Sequence, residues 1–599
     1  MIDPQGNSAL LLLSIVMIWG NSSDWGKVKM QRINFTYAND TSEYIGSALL
    51  FSPKTATANN QVPGIVVLGG ASSYSYALKA YGIEMARRGY TAILCDMPGQ
   101  GQSSFVGNTG GYGNYKPTAG TPGGGEDATE YIKAVTAQLQ SLNFVDQGKL
   151  MIGGFSAGQS WAVQAATNFC AGVYSTVITL SGYTDVNQAA VTAAGLNFIG
   201  VNANAGGKIE TLDVVPGQVV GVGDFGQGGA YYCYQHPSNV QHQMQPTTPG
   251  LIAGACDAME LAYPTNTAVK SGSTIFMTAE IFSGVAIISL FVLIACLLKS
   301  LLSMSFFKSV HREEPVSYPA MGSSDPDPKR RRIKAIAFLS FRVLITIVLY
   351  KLLAARFQPI PLFAGTAWAG LWINIWVPLL AANMIVNAVI FLVWHKRYGK
   401  PNGGNAYNYG LDWEKGAAVN IGKCLVLGLS ITFVVLSLLN FLDLLLTINL
   451  KVMIFGMISF NMGHMLQMPF YILFYFALLF TASLTQYITN PAYEDGTAKG
   501  RVAATVRTTF IAILPYLVMV VWNTFQGIGA IKMAGQYSID QFAPLDNMYG
   551  YPIMMSLVTP IMDILRRKTK SVWPGAIVCA MLLGVLIACN YSLNASWFS

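Results

Sequence analysis

The sequence predicts a chain of two unlike parts. The first is an α/β domain with a mostly parallel sheet and helices on both faces; the second is an all-α polytopic transmembrane domain. Three observations carry this. Of 599 residues only 11% are charged and 52% are hydrophobic, with mean hydropathy +0.41. Soluble globular chains carry about 25% charged residues, so a wholly soluble chain and a disordered one are both excluded. The apolar residues are also segregated: 27–272 alternates strands, helices and glycine-rich loops, whereas 273–599 is mostly long apolar runs. Finally, strands such as 64–68 (GIVVL) are apolar without alternation, as expected when both faces of a sheet are covered.

Residues 1–26 hold a short apolar run, 8–19, preceded by no Lys or Arg. Gly20-Asn21-Ser22 makes a poor cleavage site, so a signal anchor is preferred over a signal peptide. Stretches 33–37 and 45–51 read as antiparallel strands. Strand 64–68 leads into the loop Gly69-Gly70-Ala71-Ser72, and a helix over 76–88 stops at Gly89. Strand 91–95 closes on Asp96, and a glycine-rich loop over 107–125 leads to a helix over 127–142. That loop lacks the Gly-Lys-Ser/Thr ending of a phosphate-binding loop. Strand 149–153, a helix over 159–170 and strand 177–180 complete the alternation that implies a parallel sheet.

From 273 onward the apolar runs predict eight spans, at 274–298, 335–353, 372–394, 420–441, 466–486, 506–524, 548–565 and 574–593. Alternate loops differ sharply in basic content. Twenty Lys and Arg fall on one side, and four (Lys351, Arg356, Lys451 and Lys532) on the other. Basic loops stay cytoplasmic, so 27–272 is expected outside the cytoplasm of a multi-pass cell-membrane protein. The net charge of +8 belongs to this asymmetry, and a nucleic-acid partner is not expected. Glu280, Arg342 and Asp563 fall near span ends, within snorkelling reach of the interface.

The chemistry is expected in the outer domain. Gly154-Phe155-Ser156-Ala157-Gly158 fits the Gly-x-Ser-x-Gly elbow, which lifts a nucleophilic serine off a strand-to-helix turn. Chance supplies on the order of 0.4 such matches in a chain this long, so the preceding strand and following helix carry the weight. Ser156 then needs a base and an oxyanion hole. Backbone N–H groups of Ala157 and of Gly70 or Ala71 are the expected donors. Of five histidines, only His236 and His242 fall late in the outer domain, and His242 is preferred as base. The eight cysteines form no CxxC and point to no metal. Cys233 and Cys256 are close enough in sequence to pair as a disulfide.

PGIVVLGGASS, ARRGYTAILCDMPGQGQSS and GKLMIGGFSAGQ resemble the α/β-hydrolase superfamily, in its dienelactone-hydrolase and acyl-peptidase-like branch. The chain as a whole resembles bacterial membrane-bound hydrolases with a polytopic C-terminal half. The likeness is dense in motifs over 45–185 and weaker over 186–260. It implies an acid after a late strand, but 197–204 (NFIGVNAN) lacks the carboxylate. Asp224 is the preferred acid, with Asp185 as the alternative. Asp96 is structural in the family's pattern.

The expected function is a membrane-anchored serine hydrolase with no cofactor, acting on ester, thioester or amide bonds of small-molecule, lipid-like or peptide acyl substrates. Membrane lipids are the expected partners, and oligomerisation is compatible with the sequence. Two rivals use the same residues. One is a catalytically inactive hydrolase-like domain serving as a binding or assembly module; the other is a membrane acyltransferase.

Overall fold

The computed structural model describes residues 4–38, 43–70, 74–104, 126–180, 183–203, 209–210, 219–236, 240, 242–313, 327–356, 371–452, 455–457, 459, 462–489, 497–534 and 550–590. Ala71 and the glycine-rich loop 107–125 lie outside them.

The strands are β1 (Val28–Ala38), β2 (Glu43–Pro53), β3 (Val62–Leu68), β4 (Thr91–Asp96), β5 (Val145–Gly154), β6 (Thr176–Thr179), β7 (Tyr183–Thr184), β8 (Asn197–Ala203), β9 (Ile209–Glu210), β10 (Val219–Val222) and β11 (Tyr231–His236). Nine of them form one sheet in the order β1-β2-β4-β3-β5-β6-β8-β11-β10; β7 and β9 pair separately. The six central strands, β4 to β11, run parallel. The edges are antiparallel, β1 on β2 and β10 on β11.

Side chains alternate across a strand, so each face needs its own cover. Ile65 and Val67 of β3 join one buried cluster with residues of α2 (Lys79–Arg87) and α6 (Pro249–Ala262), including Ile83, Met85, Leu251 and Ile252. Val66 and Leu68 join another with Tyr131 and Ile132 of α3 (Glu126–Ser141), Trp161 of α4 (Gly158–Gln164) and Val191 of α5 (Asp185–Ala193). This double cover is why the strands read as unbroken apolar runs. It also overturns the expected disulfide: Cys233 belongs to the second cluster, Cys256 to the first, with the sheet between them, and neither forms a disulfide.

Helix α1 (Pro4–Ser22) runs beside α7 (Met277–Leu302), and Asn21 Oδ1 accepts the Ala279 N–H at 3.1 Å. The remaining helices are α8 (Pro328–Arg356), α9 (Leu371–Trp394), α10 (Ala417–Leu446), α11 (Met462–Thr489), α12 (Ala498–Ala534), Gly550–Thr569 and Trp573–Asn590. Among the described residues four helical segments, Met277–Leu302, Leu379–Asn402, Ala417–Leu446 and Ala498–Val521, are long and apolar enough to cross a membrane. Their outward residues stay apolar, as Ile288, Leu429 and Phe433 show, which suits a lipid-facing surface.

The α/β domain is fastened to one end of this helical half by buried charge. Arg32 of β1 bonds Asp96 Oδ2 at 3.2 Å and Asp443, near the end of α10, at 3.1 and 3.2 Å. The Tyr76 hydroxyl donates to the same Asp443 carboxylate. Gln102 Nε2 donates to the Ser459 carbonyl at 2.8 Å, and Ser459 Oγ to Asp443 at 2.7 Å. Nearby, Lys451 Nζ stands 3.5 Å from Glu280, and buried Lys79 lines the same cavity. At the opposite end Arg312 bonds the Lys570 carbonyl at 2.7 Å, and Trp573 Nε1 donates to the Leu411 carbonyl at 2.8 Å.

Removing one partner of a buried ion pair strands the others. Arg32→Met leaves two carboxylates without their cation and is expected to cost about 3–5 kcal/mol, read as a fall in Tm of the detergent-solubilised chain. Lys79 gives a prediction of opposite sign. Burial pulls its ammonium down to about 8, only partly offset by Glu280. The free side chain titrates near 10.4, so the penalty is complete below pH 8 and is relieved between about pH 8 and 10.4. Lys79→Met should therefore raise Tm at pH 7, with the gain fading across that window.

Candidate active site

The local strain is concentrated at one residue. Leaving β5, the chain turns at Ser156 with φ 54°, a left-handed value that side-chain-bearing residues adopt at a cost of order 1–2 kcal/mol. Neighbouring hydrogen bonds hold it there. Phe155 N–H donates to the Leu68 carbonyl at 3.0 Å and Leu180 N–H to the Gly154 carbonyl at 2.9 Å, tying the turn to β3 and to the end of β6. Gly158 N–H donates to the Phe155 carbonyl at 2.9 Å and Gln159 N–H to the Ser156 carbonyl at 3.1 Å, starting α4.

The flanking glycines are demanded by space. A Cβ on Gly154 would lie 2.2 Å from the Gly158 carbonyl carbon, and one on Gly158 would lie 2.5 Å from the Leu68 carbonyl oxygen. Gly70 closes on the serine from the loop after β3, where a Cβ would stand 2.6 Å from Ser156 Cβ. Ser156 itself is half-buried, and Ala157 heads α4. None of the four hydrogen bonds just described uses the Ala157 N–H. Ser156, Ala157 and Gly70 are thus brought together as the motif requires.

The other predicted residues divide by which end of the sheet they occupy. Parallel strands put the turns after β3, β4, β5, β6, β8 and β11 at one end. His236 closes β11 at that end, paired with Ala203 of β8. Its ring stands edge-on to Tyr234 and against Gly250 of α6, and burial lowers its basicity. His242 opens the short 3-10 helix His242–Thr247 beyond β11. Asp185 opens α5 just past β6 and β7, also at the serine end. The side chains of His242 and Asp185 lie outside the described residues.

Asp224 is the correction. It sits in the turn between β10 and β11, where the Asn197 amide bonds the neighbouring Phe225 carbonyl at 3.0 Å. Asn197 begins β8, so Asp224 is a strand length away from the serine end. It is exposed and accepts the Gly226 N–H at 2.9 Å in a local turn. Asp224 does follow a late strand, as the sequence predicted, but β10 runs antiparallel to β11, so that strand ends at the far end of the sheet. On β8 itself, Asn202 is fully buried and its amide meets no hydrogen-bond partner among the described residues.

Asp96 shapes the loops around the serine. Its carboxylate accepts Ser75 N–H at 2.6 Å and Gln102 N–H at 3.0 Å, fixing the turns after β3 and β4. Burial raises this carboxyl above its ordinary value against the pull of Arg32. Arg32, Tyr76 and Asp443 escaped sequence reasoning. Arg32 and Asp443 are 411 positions apart, and neither falls in a motif. Through them the serine end of the sheet faces the helical half. Phe155, Tyr74 and Tyr76 share an apolar cluster with Val585 and, at its edge, Leu436 and Met468.

No family model matches the chain, and no curated protein matches it in sequence. Solved structures that resemble part of it include esterases, an α/β hydrolase and a dienelactone-hydrolase-like protein. A dienelactone-hydrolase-like promiscuous phosphotriesterase from metagenomic libraries is 17% identical, with TM-score 0.23 over 29% of this chain and 69% of that one. Esterase Est22 is 15% identical, with TM-score 0.20 over 29% and 49%. A hypothetical protein from Pseudomonas aeruginosa is 21% identical, with TM-score 0.21 over 26% and 42%. This chain therefore spans less than half of the last two. At such TM-scores, fold and site rest on the strand order and the elbow.

Substitutions at the glycines should separate stability from reactivity. Gly154→Ala drives a methyl into backbone and is expected to lower stability by about 3 kcal/mol or more, measured as Tm. Gly70→Ala sets a methyl 2.6 Å from Ser156 Cβ and 2.8 Å from the Phe155 carbonyl oxygen. A displacement near 1 Å should slow covalent labelling by a fluorophosphonate about 10²-fold, with a smaller fall in Tm than Gly154→Ala gives.

Proposed function

We propose that this chain is a membrane-anchored serine hydrolase of the α/β-hydrolase type, with residues 27–272 on the extracytoplasmic face. The observation that carries the reading is Ser156, half-exposed at φ 54° on a strand-to-helix turn, with Gly70 and the Ala157 N–H beside it.

In this reading Ser156 Oγ attacks the carbonyl carbon of an ester, thioester or amide while its proton passes to His242. The oxyanion is received by backbone N–H groups of Ala157 and of the Gly70–Ala71 turn. The protonated imidazole gives its proton to the leaving group as the acyl-enzyme forms. A water molecule, deprotonated by the same imidazole, then releases the acid. Asp185 replaces Asp224 as the orienting carboxylate, because it starts α5 at the serine end. His236 is the alternative base.

Lipid-like acyl substrates are favoured by the contact between the serine end of the sheet and the helical half. The sidedness is supported by the same contacts: Asp443, Lys451 and Ser459, which meet the α/β domain, all lie on the side with four basic residues. Helix α1, packed beside α7, suits an anchor. A binding module without catalysis is favoured by one feature, the missing carboxylate around Asn202.

A fluorophosphonate probe should label the native full-length chain, and Ser156→Ala should abolish labelling. Labelling that persists in Ser156→Ala would refute the assignment, and none in the native chain would favour the binding module. Asp185→Asn should lower esterase turnover about 10⁴-fold, the scale of losing an imidazole's orienting carboxylate, while Asp224→Asn leaves it unchanged.

A further inference from the structure

We propose that Arg342 anchors an oxyanion-binding site inside the helical half, occupied by the carboxylate or phosphate head of an amphiphile. The reading of Arg342 as a snorkelling span-end residue does not survive the structure. It lies near the middle of the apolar segment Ile336–Tyr350 of α8 and is only 5% exposed. One donor, Nη2, reaches Asn387 Oδ1 of α9 at 2.8 Å. Nε is buried and meets no acceptor among the described residues.

The surroundings are polar but uncharged. Asn387 Nδ2 lies 3.5 Å from Asn383 Oδ1, Asn383 Nδ2 donates to the Tyr516 hydroxyl of α12 at 3.0 Å, and Thr485 of α11 donates to the Asn387 carbonyl at 3.1 Å. Three helices, α9, α11 and α12, thus bring polar groups near one guanidinium on α8, yet no carboxylate among the described residues pairs with it. Several other cations are met by carboxylates, and buried Arg312 by backbone carbonyls. Arg32 has Asp96 and Asp443, Arg88 has Glu84, Lys451 has Glu280, and Arg566 and Arg567 have Asp563.

A guanidinium deep among apolar helices is costly unless its charge is met, and an intramembrane ionisable residue is a functional-site candidate by default. Arginine offers a planar fork of donors that matches the two oxygens of a carboxylate or phosphate. Asn387 engages part of that fork and leaves Nε for a ligand. An amphiphile is the source chosen because its head can enter between helices while its chain stays in lipid. A free ion would have to shed its hydration. This proposal does not depend on the chemistry of Ser156.

The test uses the full chain, delipidated in a neutral detergent, with thermal unfolding followed by tryptophan fluorescence. Oleate, phosphatidylglycerol, inorganic phosphate and uncharged dioleoylglycerol are the probes. At about a hundredfold excess over Kd, oleate or phosphatidylglycerol should raise Tm by about 2 °C, and dioleoylglycerol should not. Arg342→Gln and Arg342→Met should lose the rise, and Arg342→Lys should keep part of it. An equal rise in Arg342→Gln, or no rise with either amphiphile in the native chain, overturns the proposal. A rise with inorganic phosphate alone also overturns it. If the neutral variants fail to fold, native mass spectrometry of the native chain decides. Retained oleate or phosphatidylglycerol supports the site, and their absence overturns it.

Discussion

The architecture depends on one guanidinium held between two carboxylates. Arg32 comes from β1, Asp96 from the end of β4 and Asp443 from near the end of α10, so a single side chain ties the sheet to the helical half. Its energetic logic is coercive. Once the surfaces meet, none of the three charges can be left alone without exposing the others to an uncompensated, nearly dry environment. Asp96 does a second job with its remaining lone pairs by accepting N–H groups from the turns after β3 and β4. The interaction that docks the domain is therefore the one that shapes the loops beside the serine.

The serine end of the sheet follows from backbone geometry. A left-handed residue at the tip of β5 points its side chain away from the sheet, and the cost is met by bonds to β3 and to the end of β6. Glycines surround it because carbonyls lie where a Cβ would go. These features are mutually dependent, which is why a five-residue motif is informative only when a strand precedes it and a helix follows. The same end carries His236, His242 and Asp185 and meets the helical half. A site built there is presented to an apolar neighbour.

The helical half has its own division between satisfied and unsatisfied charge. Its two ends are closed by ion pairs and by arginine-to-carbonyl bonds, as at Arg312 and at Asp563 with Arg566 and Arg567. Its interior instead collects Arg342, Asn383, Asn387 and Tyr516 from three helices. Along the sequence Arg342 falls within the span 335–353, near enough to its end to read as a snorkelling residue. Its depth becomes visible only when α8 is placed among its neighbours.

The sequence alone determined the local and periodic features. The order of strands and helices through β6 and the crowded turn at Ser156 were legible because each is set by residues close together in the chain, through steric space and hydrophobic period; the structural role of Asp96 came from the family resemblance. Folding decided what distant segments bring together. Asp224 follows a late strand, yet β10 and β11 are antiparallel and put it at the wrong end of the sheet. Cys233 and Cys256 lay close in sequence, yet the sheet separates them. Arg32 and Asp443 carried no signal at all. Charge pairing across hundreds of residues depends on where two surfaces meet, and pattern along the chain does not encode that.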